Sequence, residues 1–374
     1  MAREAGDGAG VNELQRLLAE RIRATGPLSV AEYMTEALHH PTLGYYARRD
    51  PIGRAGDFIT APEVSQVFGE LIGLWCADLW AKMGRPDPVL LVELGPGRGT
   101  LMADALRALA VAPDFRRALR AHLVETSPAL RLLQAKALAA AEPTWHDRLD
   151  QVPEGPALII ANEFLDALPI RQFERRSGGW RERRVGLAPD GRTLALVLDS
   201  APSASAALIP RSVEPAPEGS VAEVCSTALG LAKELSGRLV ACGGAALFID
   251  YGHATSAWGD TLQAVRQHRY HPVLDSPGDA DLTAHVDFQA LADAARSSGA
   301  RVHGPVTQGE FLRSLGIEVR ARQLEAKASP ETRAAVERGV RRLIDPAEMG
   351  TLFKVLALLH PDLPTPAGFP ASAP

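Results

Sequence analysis

Residues 91–106 read LVELGPGRGTLMADAL, an apolar run that breaks at Gly95, Gly97 and Gly99 and resumes with Leu101, Leu106 and Leu109 at helical spacing. A strand that turns on glycines into a helix is the ligand-cradling unit of α/β folds, and its glycine spacing discriminates between ligands. Dinucleotide folds use G-x-G-x-x-G, whereas the spacing here is G-x-G-x-G with Pro96 between the first two glycines. Glu93 stands two residues before Gly95, where a carboxylate repels a pyrophosphate and suits an ammonium group. S-adenosylmethionine carries that ammonium and no phosphate. Glu125, within HLVETSP and 32 residues after Glu93, ends the next strand, where an acid accepts both ribose hydroxyls of an adenosine. An extra helical turn around APDFRRALRA absorbs the length. The plainer readings are a tight turn without a ligand and, for Glu125, the N-cap region of a helix that Thr126, Ser127 and Pro128 start by themselves.

Outward from this turn, the chain after Pro88 alternates short apolar runs with helical patterns: VLLVELG, AHLVET, ALIIANEF, AALFIDYG and finally FKVLALL. Runs apolar on both faces imply a largely parallel sheet covered by helices on each side, an α/β fold. Before it, residues 11–85 read as a helical region, with VNELQRLLAERIRA, a Ser29-capped VAEYMTEALHH and the long SQVFGELIGLWCADLWAKMG, interrupted by the glycine- and proline-rich loop containing GDFITAPE. Within the 86–360 core, two insertions, at about 171–219 and 252–306, follow strands that end at the ligand edge and are candidates for a cap over the substrate. The first carries a hairpin across Gly178-Gly179 and the further strand GRTLALVL. The proline-rich 361–374 reads as a disordered tail.

The 374 residues are 46% hydrophobic and 23% charged, with a net charge of −5, and the pI is about 6.1. No global basic field recommends nucleic acid or an anionic membrane. Cys76, Cys225 and Cys242 are too few and too scattered for a zinc site or a disulfide framework, which fits a reducing compartment; no metal is expected. The amino terminus MAREAGDGAG has neither the apolar core of a signal peptide nor the arginines of a transit peptide, so the expectation is a cytoplasmic protein.

The sequence resembles the MidA family of class I methyltransferases in ELGPGRGTLMADALRAL, HLVETSP, ANEFLDALPIRQF, FIDYGH, DLTAHVDF and GDFITAPEVSQVFGELIGLW, over residues 14–360. The resemblance implies a Rossmann-like sheet of seven strands, S-adenosylmethionine as cofactor, and, from the eukaryotic members, a protein arginine as acceptor, dimethylated symmetrically in connection with respiratory complex I; without the presequence of the mitochondrial relatives, the expected compartment is a bacterial cytoplasm. The expected partner is the protein bearing that arginine, with a homodimer as an open alternative; neither membrane nor nucleic acid is expected.

Methyl transfer from a sulfonium is an in-line displacement, so holding the acceptor and excluding water matter most. An arginine acceptor is cationic at all useful pH and calls for carboxylates that grip its guanidinium. ANEFLDALP supplies Glu163 and Asp166, three residues apart and on one face if the chain turns helical, with Asn162 beside them for cofactor or acceptor. Its NEF differs from the N-P-P-Y pattern of base methyltransferases, which disfavours adenine. Asp250, Tyr251 and His253 end another strand at this edge, and Asp287 suits His285 as an orienting carboxylate for a proton acceptor. Phe58 and Thr60 in GDFITAPE are candidates for covering the adenosyl group; alternatively Thr60 caps a helix that begins with Pro62 and Glu63 in its first turn. The hairpin arginines Arg171, Arg175, Arg176, Arg181, Arg183 and Arg184 read as a solvated strand pair rather than an acidic-partner surface. Rival functions are a small-molecule methyltransferase, a cofactor-binding assembly scaffold and, disfavoured by Glu93, a nicotinamide oxidoreductase.

Overall fold

The computed structural model describes residues 11–48, 60–326 and 328–371. They form two compact units. One draws on the chain before residue 49, Pro169–Val224 and Trp258–Thr283; the other draws on the chain from residue 60 to Leu168, Cys225–Ala257 and the chain from Ala284 onward.

The larger unit is built on seven strands, β1 (Val89–Leu94), β2 (Leu119–Val124), β3 (Thr144–His146), β4 (Ala157–Asn162), β5 (Gly244–His253), β6 (Arg301–Thr307) and β7 (Phe353–Leu359). They lie in the order β6-β7-β5-β4-β1-β2-β3, with β7 antiparallel to both its neighbours and the others parallel. A two-residue strand, Val286–Asp287, adds beside the end of β5. Alternation along the strands feeds two cores. Val89, Leu91, Leu158, Ile160, Leu247 and Val355 join one, while Leu90, Val92, Ile159, Phe248 and Leu356 join the other. Helices α1 (Ala61–Val64), α2 (Gln66–Lys82), α3 (Thr100–Ala108) and α4 (Pro128–Ala137) precede α5 (Ser226–Cys242), α6 (Phe288–Arg296), α7 (Gln308–Ser314), α8 (Ile317–Glu325) and α9 (Pro330–Ile344). Helices α5 and α6 cover the second face, and α2, α3, α7 and α9 the first. The extra length between Glu93 and Glu125 is a 3-10 turn, Leu109–Val111, followed by a helix, Pro113–Ala118.

The smaller unit holds a sheet in which Gly179–Leu187 lies between Leu28–Ser29 and Arg171–Arg176, with Val221–Val224 next to the latter. The turn sits at Gly178 and Gly179, both at positive φ, as the hairpin reading requires. Leu194–Leu198 pairs with the same central strand. Helix Val30–His39 starts with a capping box between Ser29 and Glu32. The hairpin arginines are largely absorbed locally: Arg171 onto Glu182, Arg183 onto Glu174 and Asp260, Arg184 onto Asp199, and Arg176 onto Glu174.

Three boundaries differ from the sequence expectation. The helical region 11–85 is divided, since residues 11–48 belong to the smaller unit and α1 and α2 to the larger. The second insertion ends at Thr283, because α6 and β6 belong to the sheet unit. The described residues of the tail, 361–371, are packed against the unit: Trp75 Nε1 donates to the Ala367 carbonyl at 3.0 Å, Arg301 donates to that of Leu363, and the Phe369 ring lies tilted against Phe311. Proline forbids regular structure there, yet Leu363 is buried and Phe369 packs on the core.

Candidate functional site

The turn after β1 holds Gly95, Gly97 and Gly99 at φ of 61°, 54° and 81°, the left-handed region that side chains resist. Gly95 must also be bare, because a Cβ there would meet the Phe164 ring at 2.7 Å. The Gly95 N–H donates to the Val124 carbonyl, tying the turn to β2, and Gly99 stands at the N-terminus of α3.

Thr60, Glu93, Gly95, Pro96, Gly97, Asn162 and Glu163 line one cleft. Glu93 is buried; the Met102 N–H reaches its carboxyl, Oε2 has no partner, and burial pushes its pKa up to about 8. The Asn162 side-chain oxygen is likewise buried without a partner. Two unsatisfied acceptors in one cleft fit an ammonium donor and do not fit a phosphate.

Glu125 does not line this cleft, but it is linked to it. The Ser127 N–H donates to its Oε1 at 2.7 Å, and Gln134 donates both to Oε2 at 3.3 Å and to the Gly97 carbonyl at 2.7 Å. The capping reading of Glu125 is therefore real, with one oxygen committed to the helix start. Gln134, fully buried and also accepting from Trp145 Nε1, joins turn, acid and β3; nothing in the local sequence marks it.

Thr60 is the N-cap of α1, with Pro62 in the first turn and no side-chain cap bond. Phe58 lies outside the described residues. The first N–H of α1, on Ala61, donates to Glu163 Oε1 at 2.7 Å, and Glu63 accepts from Thr100 at the start of α3.

The segment after β4 is not helical, which corrects the expectation for Glu163 and Asp166. Glu163 adopts φ +49°, and the N–H groups of Phe164, Leu165 and Asp166 all point at Asp250 Oδ2, at 3.1, 2.8 and 3.2 Å. A carboxylate has captured the donors a helix would use. The two acids still meet: burial raises Glu163 to about 7, eased by the Ala61 bond and raised by Asp166, while burial raises Asp166 to about 6, eased by a hydrogen bond from Tyr251. Asp250 is raised well above the carboxylate range by burial, then by Asp166 and Glu163.

Asp287 does not orient His285. It approaches His253 at 3.8 Å, accepts from Ser256 at 2.9 Å and caps α6 through Ala290. Pairing of Val286–Asp287 with β5 sets Asp287 opposite His253, which a two-residue spacing cannot reveal. His285 instead packs edge-on to Tyr251 at 5.6 Å, and burial, then His253 and Lys354, hold its pKa down.

A seven-stranded sheet with this strand order, and a glycine turn flanked by unsatisfied acceptors at its carboxyl edge, define a class I methyltransferase. A family model described as S-adenosyl-L-methionine-dependent methyltransferase matches residues 71–306. A crystal structure from Burkholderia thailandensis bound to S-adenosyl-homocysteine is 28% identical, with TM-score 0.79, covering 95% of this chain and 93% of that chain. The mitochondrial protein arginine methyltransferase NDUFAF7 of Homo sapiens is 39% identical over 93% of this chain and 84% of its own length. Its Drosophila melanogaster homologue is 40% identical over 94% and 85%. The chain belongs to this family, the MidA family of class I methyltransferases, and it is an S-adenosylmethionine-dependent enzyme. The cytoplasmic expectation is corrected by the same relatives, which are mitochondrial proteins of animals. The polar amino terminus was a poor guide to compartment. Among the described residues, no helix is long and apolar enough to cross a membrane.

Proposed function

We propose that this enzyme transfers the methyl group of S-adenosylmethionine to an arginine side chain of a protein. The observation that carries the reading is the gathering of Asp166 and Asp250, both buried, and the half-buried Glu163 at the ends of β4 and β5. Among the described residues none of the three is ion-paired to Lys or Arg. Lys354, opposite Asp250 in the register, turns its ammonium to the Leu352 carbonyl. Buried acids without a cation are costly, and a guanidinium resolves that cost with bidentate bonds. The names of the relatives at 38–40% identity point to the same acceptor.

In this reading Glu93 and Asn162 receive the ammonium of the cofactor, and Glu125 the ribose. The cofactor supplies an electrophilic methyl group. Asp166 and Glu163 orient the guanidinium so that one terminal nitrogen faces that methyl. As the N–C bond forms, the sulfur keeps the pair of the breaking S–C bond, and the nitrogen sheds its proton to Asp166, whose raised pKa suits it as acceptor.

The test is labelled methyl transfer into proteins of a strain lacking this enzyme, followed by mass spectrometry. Methylarginine that appears with wild type and is lost with Asp166→Asn, while calorimetry shows S-adenosyl-homocysteine still binding, supports the reading; the same spectra count the methyls. Label on another residue or on a small molecule refutes it. Host function retained by a variant that binds cofactor but transfers nothing would favour a scaffold.

A further inference from the structure

We infer that Asp250 and Tyr251, consecutive residues at the end of β5, are a pair of positioning residues for Asp166: one fixes its backbone and the other keeps its carboxylate aimed and charged toward the acceptor. The inference rests on the proposed transfer to arginine.

Successive strand residues project to opposite sides, yet both of these side chains serve the loop that follows β4. Asp250 is 1% exposed, and its Oδ2 accepts three successive N–H groups, those of Phe164, Leu165 and Asp166, while Oδ1 accepts from Tyr251 N at 2.9 Å. Four backbone donors on one carboxylate exceed what a loop needs for satisfaction, and they lock the stretch that starts at the left-handed Glu163.

Tyr251 acts on the side chain. Its ring is edge-on to Phe353 at 5.5 Å and to His285 at 5.6 Å, which fixes where the hydroxyl points. That hydroxyl donates to Asp166. A donor favours the charged form of a carboxylate, against burial and against the neighbouring acids Glu163 and Asp250. Among the described residues, the other ionisable groups around the pair are His285, His253 with Asp287, Lys354 on β7, and Arg342 of α9 acting on Glu163. Without the hydroxyl, Asp166 protonates earlier and cannot grip a cation.

The variant is Tyr251→Phe, read in two ways on the full chain loaded with S-adenosyl-homocysteine. In carboxyl NMR of protein labelled with [13C]aspartate, with the Asp166 signal assigned by its absence in Asp166→Asn, the titration midpoint of Asp166 rises by about 0.5–1 pH unit in the variant. An unmoved midpoint overturns the inference. In calorimetry with ethylguanidinium as probe, the variant binds about 3-fold to 10-fold more weakly at pH 6.5 and within about twofold of wild type at pH 9. Equal weakening at every pH means a merely structural role and overturns it. If the midpoint moves but wild type binds no ethylguanidinium, the arginine reading fails while the control of Asp166 by Tyr251 stands. Asp250→Asn is expected to abolish ethylguanidinium binding with cofactor affinity kept; loss of neither refutes its part.

Discussion

Glu93→Gln removes a buried acid with little change in shape, and the structure sets both the sign and the size of the result. Glu93 has its pKa raised by burial from an ordinary 4.5 to about 8. A raised acid binds its proton more tightly in the folded chain, so its contribution to stability is full below about pH 4.5 and falls as pH climbs to about 8. At pH 7 the unfolded chain has its carboxyl ionised while the folded one still holds the proton, and the gap between pH 7 and the ordinary pKa of 4.5, at about 1.36 kcal/mol per pH unit, amounts to about 3 kcal/mol. The glutamine variant of the empty enzyme should therefore be more stable than wild type by about that amount at pH 7, and by less than about 1 kcal/mol at pH 5. Glu163 and Asp166 titrate in the same window, so the informative quantity is the difference between the two proteins across urea denaturation at pH 5 to 8. Binding of a cationic ammonium beside Glu93 reverses the balance. Wild type should release about one proton on taking up S-adenosyl-homocysteine at pH 7, seen as a buffer-dependent heat, and the variant none while binding roughly 100-fold more weakly. A stability difference that is flat from pH 5 to 8 would show Glu93 already ionised in the empty enzyme and would refute the reasoning.

Gly95→Ala should cost about 2–4 kcal/mol, combining a left-handed backbone with a Cβ 2.7 Å from the Phe164 ring, and should lower the urea midpoint together with cofactor affinity. Gln134→Leu leaves the Gly97 carbonyl and Trp145 Nε1 without their partner and should destabilise by about 3 kcal/mol, with a changed Trp145 emission spectrum; an unchanged spectrum would deny the link. Glu182→Ala strips a fully buried carboxylate from Arg171 and Arg184 and should cost about 3 kcal/mol by urea denaturation, with S-adenosyl-homocysteine affinity retained.

The strands of the core were legible because both their faces are buried: VLLVEL, ALIIAN and FKVLALL show it as near-continuous apolar runs, interrupted only by Glu93, the terminal Asn162 and Lys354. Strands β3 and β6 were not, since the polar Thr144 and His146 of TWH and the Gly-Pro step in RVHGPVT erase that signal at the sheet's two edges. The glycine turn and Glu93 could be read because conformational freedom and misplaced charge leave marks in sequence. Bonds over long separations leave none: Asp250 taking the N–H groups of 164–166, Asp287 meeting His253 and Gln134 reaching Gly97 all depend on which strands neighbour which. Local spacing accordingly pointed Asp287 to His285 and left a helical face open as the way to join Glu163 and Asp166, and tertiary geometry set both otherwise.

Strand β7 is the last to be made, yet it lies between β5 and β6. During synthesis, the strands from β3 to β5 can pair as soon as they emerge, but β6 has no partner until Phe353–Leu359 follows. A nascent chain halted before Phe353 would thus carry the unpaired edge of β5, apolar from Ala245 to Ile249, a surface prone to capture by other chains or by chaperones. Topology makes the interval between the synthesis of β6 and that of β7, rather than the folding of the cofactor turn, the vulnerable stretch in the making of this chain.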